Sequence, residues 1–197
     1  MKQNQNLFQN NLREHLALFE MLPQLESNVQ QAGTLIGEAL AAGRKLMLCG
    51  NGGSAADSQH IAAELTGRFI RDRRPLAAVA LTTDTSALTS IANDYSFDEV
   101  FARQVTALGA PGDCLIGIST SGNSRNVIKA VEAARGIGMH IIGLLGRDGG
   151  ALRALCDVAI VAPSATTARI QEAHIMIGHT LCGMVESALG LAAADQT

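Results

Sequence analysis

Residues 46–65 read LMLCGNGGSAADSQHIAAEL. The apolar run KLMLC (45–49) has the length of a buried strand, the glycines after it form a loop, and a helix follows from Ser54 to about Phe69. Strand, glycine loop and helix together form the repeating unit of a parallel α/β sheet. This helix also carries His60 and Glu64 at i and i+4, so both project from one face, and two of the apolar residues between them, Ala62 and Ala63, are small. Such a pair is common on exposed helices, where it contributes little. Next to a glycine loop it is equally the start of an acid–base or metal site, and these residues alone leave both readings open.

The same alternation extends in both directions. Before the strand, apolar residues at helical spacing (Leu7, Leu12, Leu16, Phe19, Leu22, then Leu35, Ile36, Ala39, Leu40) predict two helices, separated near Pro23 and Ser27 and ended by Gly43. After it come a strand at 76–81, helical stretches to about Leu108, a strand at 113–118, a helix at 126–136 and a strand at 140–145. A short helix, a strand at 157–162 and a long helix at 168–192 complete the chain. Apolar strands alternating with helices predict a parallel sheet covered on both faces. No linker or repeat divides the 197 residues, a length that suits one domain.

Composition narrows the function classes. Aromatic residues make up 3% and Trp is absent, so the core is aliphatic. A net charge of −3 argues against a nucleic-acid partner, whose binding surface is normally basic. The N-terminal stretch lacks a signal-peptide core, and no apolar run reaches the roughly 18 residues of a membrane span. Cys49, Cys114, Cys156 and Cys182 are widely spaced and read as reduced core residues of a cytoplasmic protein.

Two loops stand at predicted strand ends, where open parallel sheets bind ligands. In the first, GNGGS (50–54), Gly50, Gly52 and Ala55 fit a dinucleotide fingerprint, but no acid ends the second strand at the required distance, the nearest being Asp84. The second, STSGNS (119–124), has four hydroxyls ahead of a helix N-terminus. Serine-rich turns are often only helix caps. Hydroxyls and free helix amides are also what a phosphate monoester requires, and the helix dipole favours the anion.

Four segments, CGNGGSAADSQH, TTDTSALTSIANDYSF, GISTSGNS and ARIQEAHIMIGH, resemble the phosphoheptose isomerases in order and spacing. These are sedoheptulose 7-phosphate isomerases of the sugar-isomerase (SIS) fold, and the resemblance covers nearly the whole chain. It implies a three-layer αβα sandwich with a five-stranded parallel sheet, one SIS domain over 1–197. Residues 1–43 would form a helical extension that packs in a homotetramer with interfacial active sites. It implies conversion of sedoheptulose 7-phosphate to D-glycero-D-manno-heptose 7-phosphate by enediol proton transfer. That reaction is the first step toward the ADP- or GDP-heptose used in lipopolysaccharide and related glycans. The family's substrate positions fall on Asn51, Gly52, Gly53, Glu64, Asn93, Asp94, Ser119, Thr120, Ser121, Ser124 and Gln171. Its catalytic pair falls on Glu64 and His179, and its zinc ligands on His60, Glu64, Gln171 and His179.

A related SIS protein binds the bacterial replication initiator and is catalytically silent, as would be a module that only senses a sugar phosphate. The silent relative's pattern lacks the acid at 64 and the histidine at 179 and has an arginine in its serine loop; this chain keeps the enzyme's residue at all three places. An aldose–ketose isomerase needs a base for a carbon-bound proton and a partner for the oxygens, roles that suit Glu64 and His179. Helical spacing does not single out Gln171. It lies about 80° from His179 on the wheel, whereas Glu172 lies closer in angle and His174 falls on the other side of Gln171. Glu172 and His174 are therefore open between site and structure. Arg68 and Arg169 read as solvated or paired, Asp84 as a helix cap and GRDGG (146–150) as a turn.

Overall fold

The computed structural model describes residues 6–191. Helix α1 (Leu7–Met21) leads through a 3-10 turn at Leu22–Leu25, which contains Pro23, into α2 (Glu26–Ala41). There follow β1 (Leu46–Gly50), α3 (Gly53–Thr66), β2 (Ala78–Ala80), α4 (Thr85–Asp94), α5 (Ala102–Leu108) and β3 (Cys114–Ser119). Helix α6 (Arg125–Ile137), β4 (His140–Gly146), β5 (Val158–Ala162) and α7 (Thr167–Ala188) complete the order.

The five strands are all parallel, in the order β2-β1-β3-β4-β5. Every residue of β1 and β3 is buried, as expected for central strands covered on both faces. One face packs against α2, α3 and α7 around Ile36, Leu48, Ile61, Ile116, Leu144 and Ile177. The other packs against α5 and α6 around Met47, Val105, Leu115, Val131 and Ile141. The result is the expected three-layer αβα sandwich. Helix α2 belongs to a layer in its own right, with Ile36 and Leu40 in the core. Asp113 closes the far end of the sheet, accepting hydrogen bonds from the Lys45 and Ala110 backbone N–H groups and from Lys45 Nζ.

Three boundaries differ from the sequence expectation. Helix α3 stops at Thr66 rather than near Phe69, because Gly67 leaves helical geometry there. The strand expected over 76–81 shrinks to Ala78–Ala80, an edge strand with β1 as its one neighbour. Helix α7 ends at Ala188, where Gly190 takes a left-handed φ of 66°; position 192 of the expected helix lies outside the described residues. The four cysteines are free, three buried and Cys156 half-buried. Among the described residues no helix is long and apolar enough to cross a membrane.

Candidate active site

This strand order reverses direction between β1 and β3, so a crevice opens beyond their carboxyl ends. Both singled-out loops lie there. In the first, Gly52 has φ 56° and ψ −120°, a conformation that L side chains rarely adopt. Gly53, the first residue of α3, is exposed but lies against the Gln171 side chain of α7: a Cβ at this position would lie 2.3 Å from Gln171 Nε2. Gln171 thus sits directly on the glycine loop. Asn51 and Asn126 exchange a reciprocal pair of amide hydrogen bonds, 2.9 and 2.8 Å long, which ties this loop to the first turn of α6. A cavity of about 150 Å³ adjoins it, lined by residues that include Asn51, Gly52, Thr82, Leu88 and Phe97.

In the second loop, Ser119 Oγ lies 2.9 Å from Ser124 Oγ and 3.5 Å from Ser121 Oγ, so three of the four hydroxyls converge. Ser124 occupies the N-cap position of α6, but its hydroxyl makes no cap hydrogen bond and is turned toward Ser119. Ser124 thus leaves the positive end of α6 beside these hydroxyls, where the Val127 N–H donates to Asn126 Oδ1 at 3.0 Å. Thr120 is half-buried, with its carbonyl packed on Gly146. The GRDGG turn does more than turn. A Cβ on Gly122 would lie 1.9 Å from the Gly149 carbonyl oxygen, and the Leu152 and Ala151 N–H groups donate to Gly122 O and Asn123 Oδ1, both at 3.0 Å. The turn therefore backs the hydroxyl loop and holds its curvature.

The third component joins α3 to α7. His60 Nε2 lies 3.1 Å from Glu64 Oε1 on α3, and His179 Nε2 of α7 lies 3.2 Å from His60 Nε2. Phe69 stacks on His179 with ring centroids 5.6 Å apart. His60 is about half exposed and Glu64 less so, at 47% and 24% of their side-chain surfaces, so the group faces solvent. Only one of two ring nitrogens that close can carry a proton toward the other. Two imidazole nitrogens and a carboxylate oxygen, all within 4.8 Å of one another, form a donor set suited to a zinc-type divalent ion. Among the described residues this is the one His/Cys/Asp/Glu group so arranged. Asp57, one turn before His60, has a buried Oδ2 without a hydrogen-bond partner; burial pushes its pKa up, and His60 opposes the shift.

The remaining residues sort clearly. Asn93 and Asp94 stand at the exposed end of α4, where Asn93 Nδ2 donates to Asp94 Oδ1 at 2.8 Å. Asp84 caps α4 through the Ala87 N–H. Glu172 bonds His15 and Arg169, which joins α1 to α7. His174 is fully buried against Leu145 O and is structural. Arg169 is paired and buried, while Arg68 is exposed. The amide pair at Asn126 and the backing role of GRDGG escaped the sequence reading. Both depend on backbone approach, which leaves no side-chain periodicity.

The SIS domain model matches residues 8–146. The phosphoheptose isomerase of a Nitratiruptor species is 58% identical over 176 residues, which cover 89% of this chain and 94% of that protein. The chain belongs to the SIS domain family, among the phosphoheptose isomerases. Two solved SIS structures agree over nearly their full length. The phosphoheptose isomerase of Neisseria gonorrhoeae superposes with a TM-score of 0.87 at 50% identity, covering 91% of this chain and 97% of its own. That of Francisella tularensis gives 0.81 at 37%, covering 90% and 98%. As a member of this SIS group, the chain is an isomerase.

Proposed function

We propose that this sugar-phosphate isomerase converts sedoheptulose 7-phosphate to D-glycero-D-manno-heptose 7-phosphate, the first step toward a nucleotide-activated heptose. The observation that carries this reading is the convergence of His60 and Glu64 of α3 with His179 of α7, in a chain whose serine loop also gathers Ser119, Ser121 and Ser124. Ser119, Thr120, Ser121 and Ser124, with the N-terminus of α6, bind the phosphate. Asn51, Gly52, Gly53, Asn93, Asp94 and Gln171 hold the sugar. Glu64 takes the proton from one carbon and returns it to the next, passing through an enediol. His179 exchanges protons with the neighbouring oxygens, a task suited to an imidazole near neutral pH.

The nitrogen and carboxylate donors fit zinc, with His60, Glu64, Gln171 and His179 as its ligands, one ion per subunit. Zinc supplies Lewis-acid polarisation of the carbonyl and hydroxyl oxygens when bound. A catalytically silent sensor would need the hydroxyl loop but not the His–Glu–His convergence.

The working form is a cytoplasmic homotetramer with active sites at its interfaces. Supporting this, α1 leaves Phe8, Leu12 and Leu16 exposed at i, i+4 and i+8, with Leu7 and Met21 also exposed. An apolar stripe of this kind is the usual raw material of an obligate interface. The expected domain runs over 1–197 with 1–43 as its helical extension; of that extension α1 packs between subunits while α2 covers the sheet, and residues 1–5 and 192–197 lie outside the described residues.

The test is Glu64→Gln, which preserves shape and removes the base. We expect the variant to bind the sugar phosphate, to lose at least about 100-fold in kcat, and to stop exchanging the substrate carbon-bound proton with deuterated water, followed by NMR. Exchange at the parent rate would remove Glu64 from the role of base.

A further inference from the structure

Helix α3 ends just after Glu64, and its last carbonyls need partners. They find them in Arg73, from the irregular segment before β2. Its Nη2 donates to the Glu64 carbonyl oxygen at 2.7 Å, and its Nη1 to those of Leu65 and Gly67 at 2.7 and 2.9 Å. Its Nε donates to Glu186 Oε1 of α7 at 2.8 Å. Both side chains are almost wholly buried, 2% and 4% exposed. Glu186 lies seven residues beyond His179, two turns further along the same face of α7. Cys182 lies between these groups. Burial pushes its thiol up to about 12, with Glu64 and Glu186 adding to the shift and Arg73 opposing it.

One guanidinium therefore grips the backbone of Glu64 with one edge and the helix carrying His179 with the other. A rigid planar fork suits this, since a lysine ammonium holds its three donors on one atom and cannot span acceptors that Arg73 meets with three separate nitrogens. We infer that Arg73 is a positioning residue of the active site, fixing Glu64 on α3 relative to His179 on α7 through Glu186. This rests on the roles proposed above for Glu64 and His179. The hydroxyl loop follows a different strand and is outside the clamp, so loss of Arg73 should disturb the acid–base and zinc group but not phosphate binding. A merely structural ion pair would lower stability without separating these effects.

The experiment compares Arg73→Lys and Glu186→Gln with the parent and with Glu64→Gln. Fold is followed by circular dichroism, kinetics by kcat and KM for the sugar phosphate, and Zn²⁺ affinity by competition with a chromogenic chelator. Removing a support of this kind typically costs about 10- to 100-fold in metal affinity or activity. For Arg73→Lys we expect a folded protein with kcat and zinc affinity each down at least about tenfold and KM within about twofold of the parent. Glu186→Gln, which keeps one acceptor, should show the same pattern more weakly. A folded Arg73→Lys with kcat and zinc affinity within about twofold of the parent overturns the clamp; so does an Arg73→Lys whose KM rises as much as kcat falls. Should Arg73→Lys not fold, Glu186→Gln decides by the same criteria. Parent-level kcat in Glu64→Gln would instead reject the site reading itself. An inactive Glu64→Gln beside an unaffected Arg73→Lys rejects the clamp alone.

Discussion

Replacing Gly53 by alanine separates what the glycine loop does for stability from what it does for the site. Alanine at the first position of α3 restricts the unfolded chain and favours the helix by roughly 0.5–1 kcal/mol. Against this, its Cβ would stand 2.3 Å from Gln171 Nε2, 2.8 Å from Cδ and 3.0 Å from Oε1. All three atoms belong to the end of a flexible side chain, so Gln171 relieves the clash by swinging away, at about 0.5–1.5 kcal/mol for a poorer rotamer. The two terms nearly cancel. A net change under about 1 kcal/mol moves the Tm of a domain this size by no more than about 2–4 °C. Catalysis has no such compensation, because the displaced amide belongs to the sugar and metal group proposed above. A misplacement of about 1 Å there costs on the order of 100-fold. The assay pairs thermal unfolding with steady-state isomerase kinetics on Gly53→Ala, Gln171→Ala and the double variant. We expect a near-parent Tm, a kcat/KM down at least about tenfold in Gly53→Ala, and no further loss in the double variant relative to Gln171→Ala. Parent-level activity in Gly53→Ala would refute the argument, since it would show that Gln171 need not hold its place.

Ser124→Ala and Ser121→Ala should raise KM by about tenfold while kcat falls less than about threefold, because phosphate binding is remote from the reacting carbons; unchanged KM in both would remove the loop from phosphate binding. Burial pushes His174 down to about 4, so the folded protein resists a proton that the unfolded chain takes up near pH 6.5. The resulting stability is fully present above pH 6.5 and fades as pH falls toward 4, with about 2 kcal/mol lost between pH 7 and 5. In urea unfolding, His174→Gln should lack that part of the pH slope, and parallel slopes would count against it. Leu12→Asp with Leu16→Asp should convert the proposed tetramer to smaller species by light scattering; an unchanged mass would place the interface elsewhere.

Much of the architecture could be read in advance, because burial on both faces writes continuous apolar runs into β1 and β3, and amphipathic stretches mark the helices between. The misplaced boundaries have local causes. The segment after Thr66 has enough apolar residues to extend a helix, but Gly67 breaks it and the Arg73 guanidinium takes up the carbonyl groups left behind. The flanks of β2 look like strand, yet at the sheet edge one neighbour sustains pairing over Ala78–Ala80 alone. The site was legible in proportion to how far it relies on side chains at fixed spacing. His60 and Glu64 announce themselves at i and i+4, and the serines by their density in one turn.

What spacing could not convey is how the pieces are held. Gln171 is picked out by its contact with Gly53, which requires α7 to cross the start of α3. Asn126 matters because its amide faces that of Asn51, and this needs β1 and β3 side by side at the strand reversal. Arg73 works almost entirely through backbone carbonyls, which every residue carries, so the sequence around it shows only a charged run before a proline. A side chain that bonds backbone can be recognised only once the fold says whose backbone lies within reach. Here it is the backbone of Glu64, the residue on which the proposed chemistry turns.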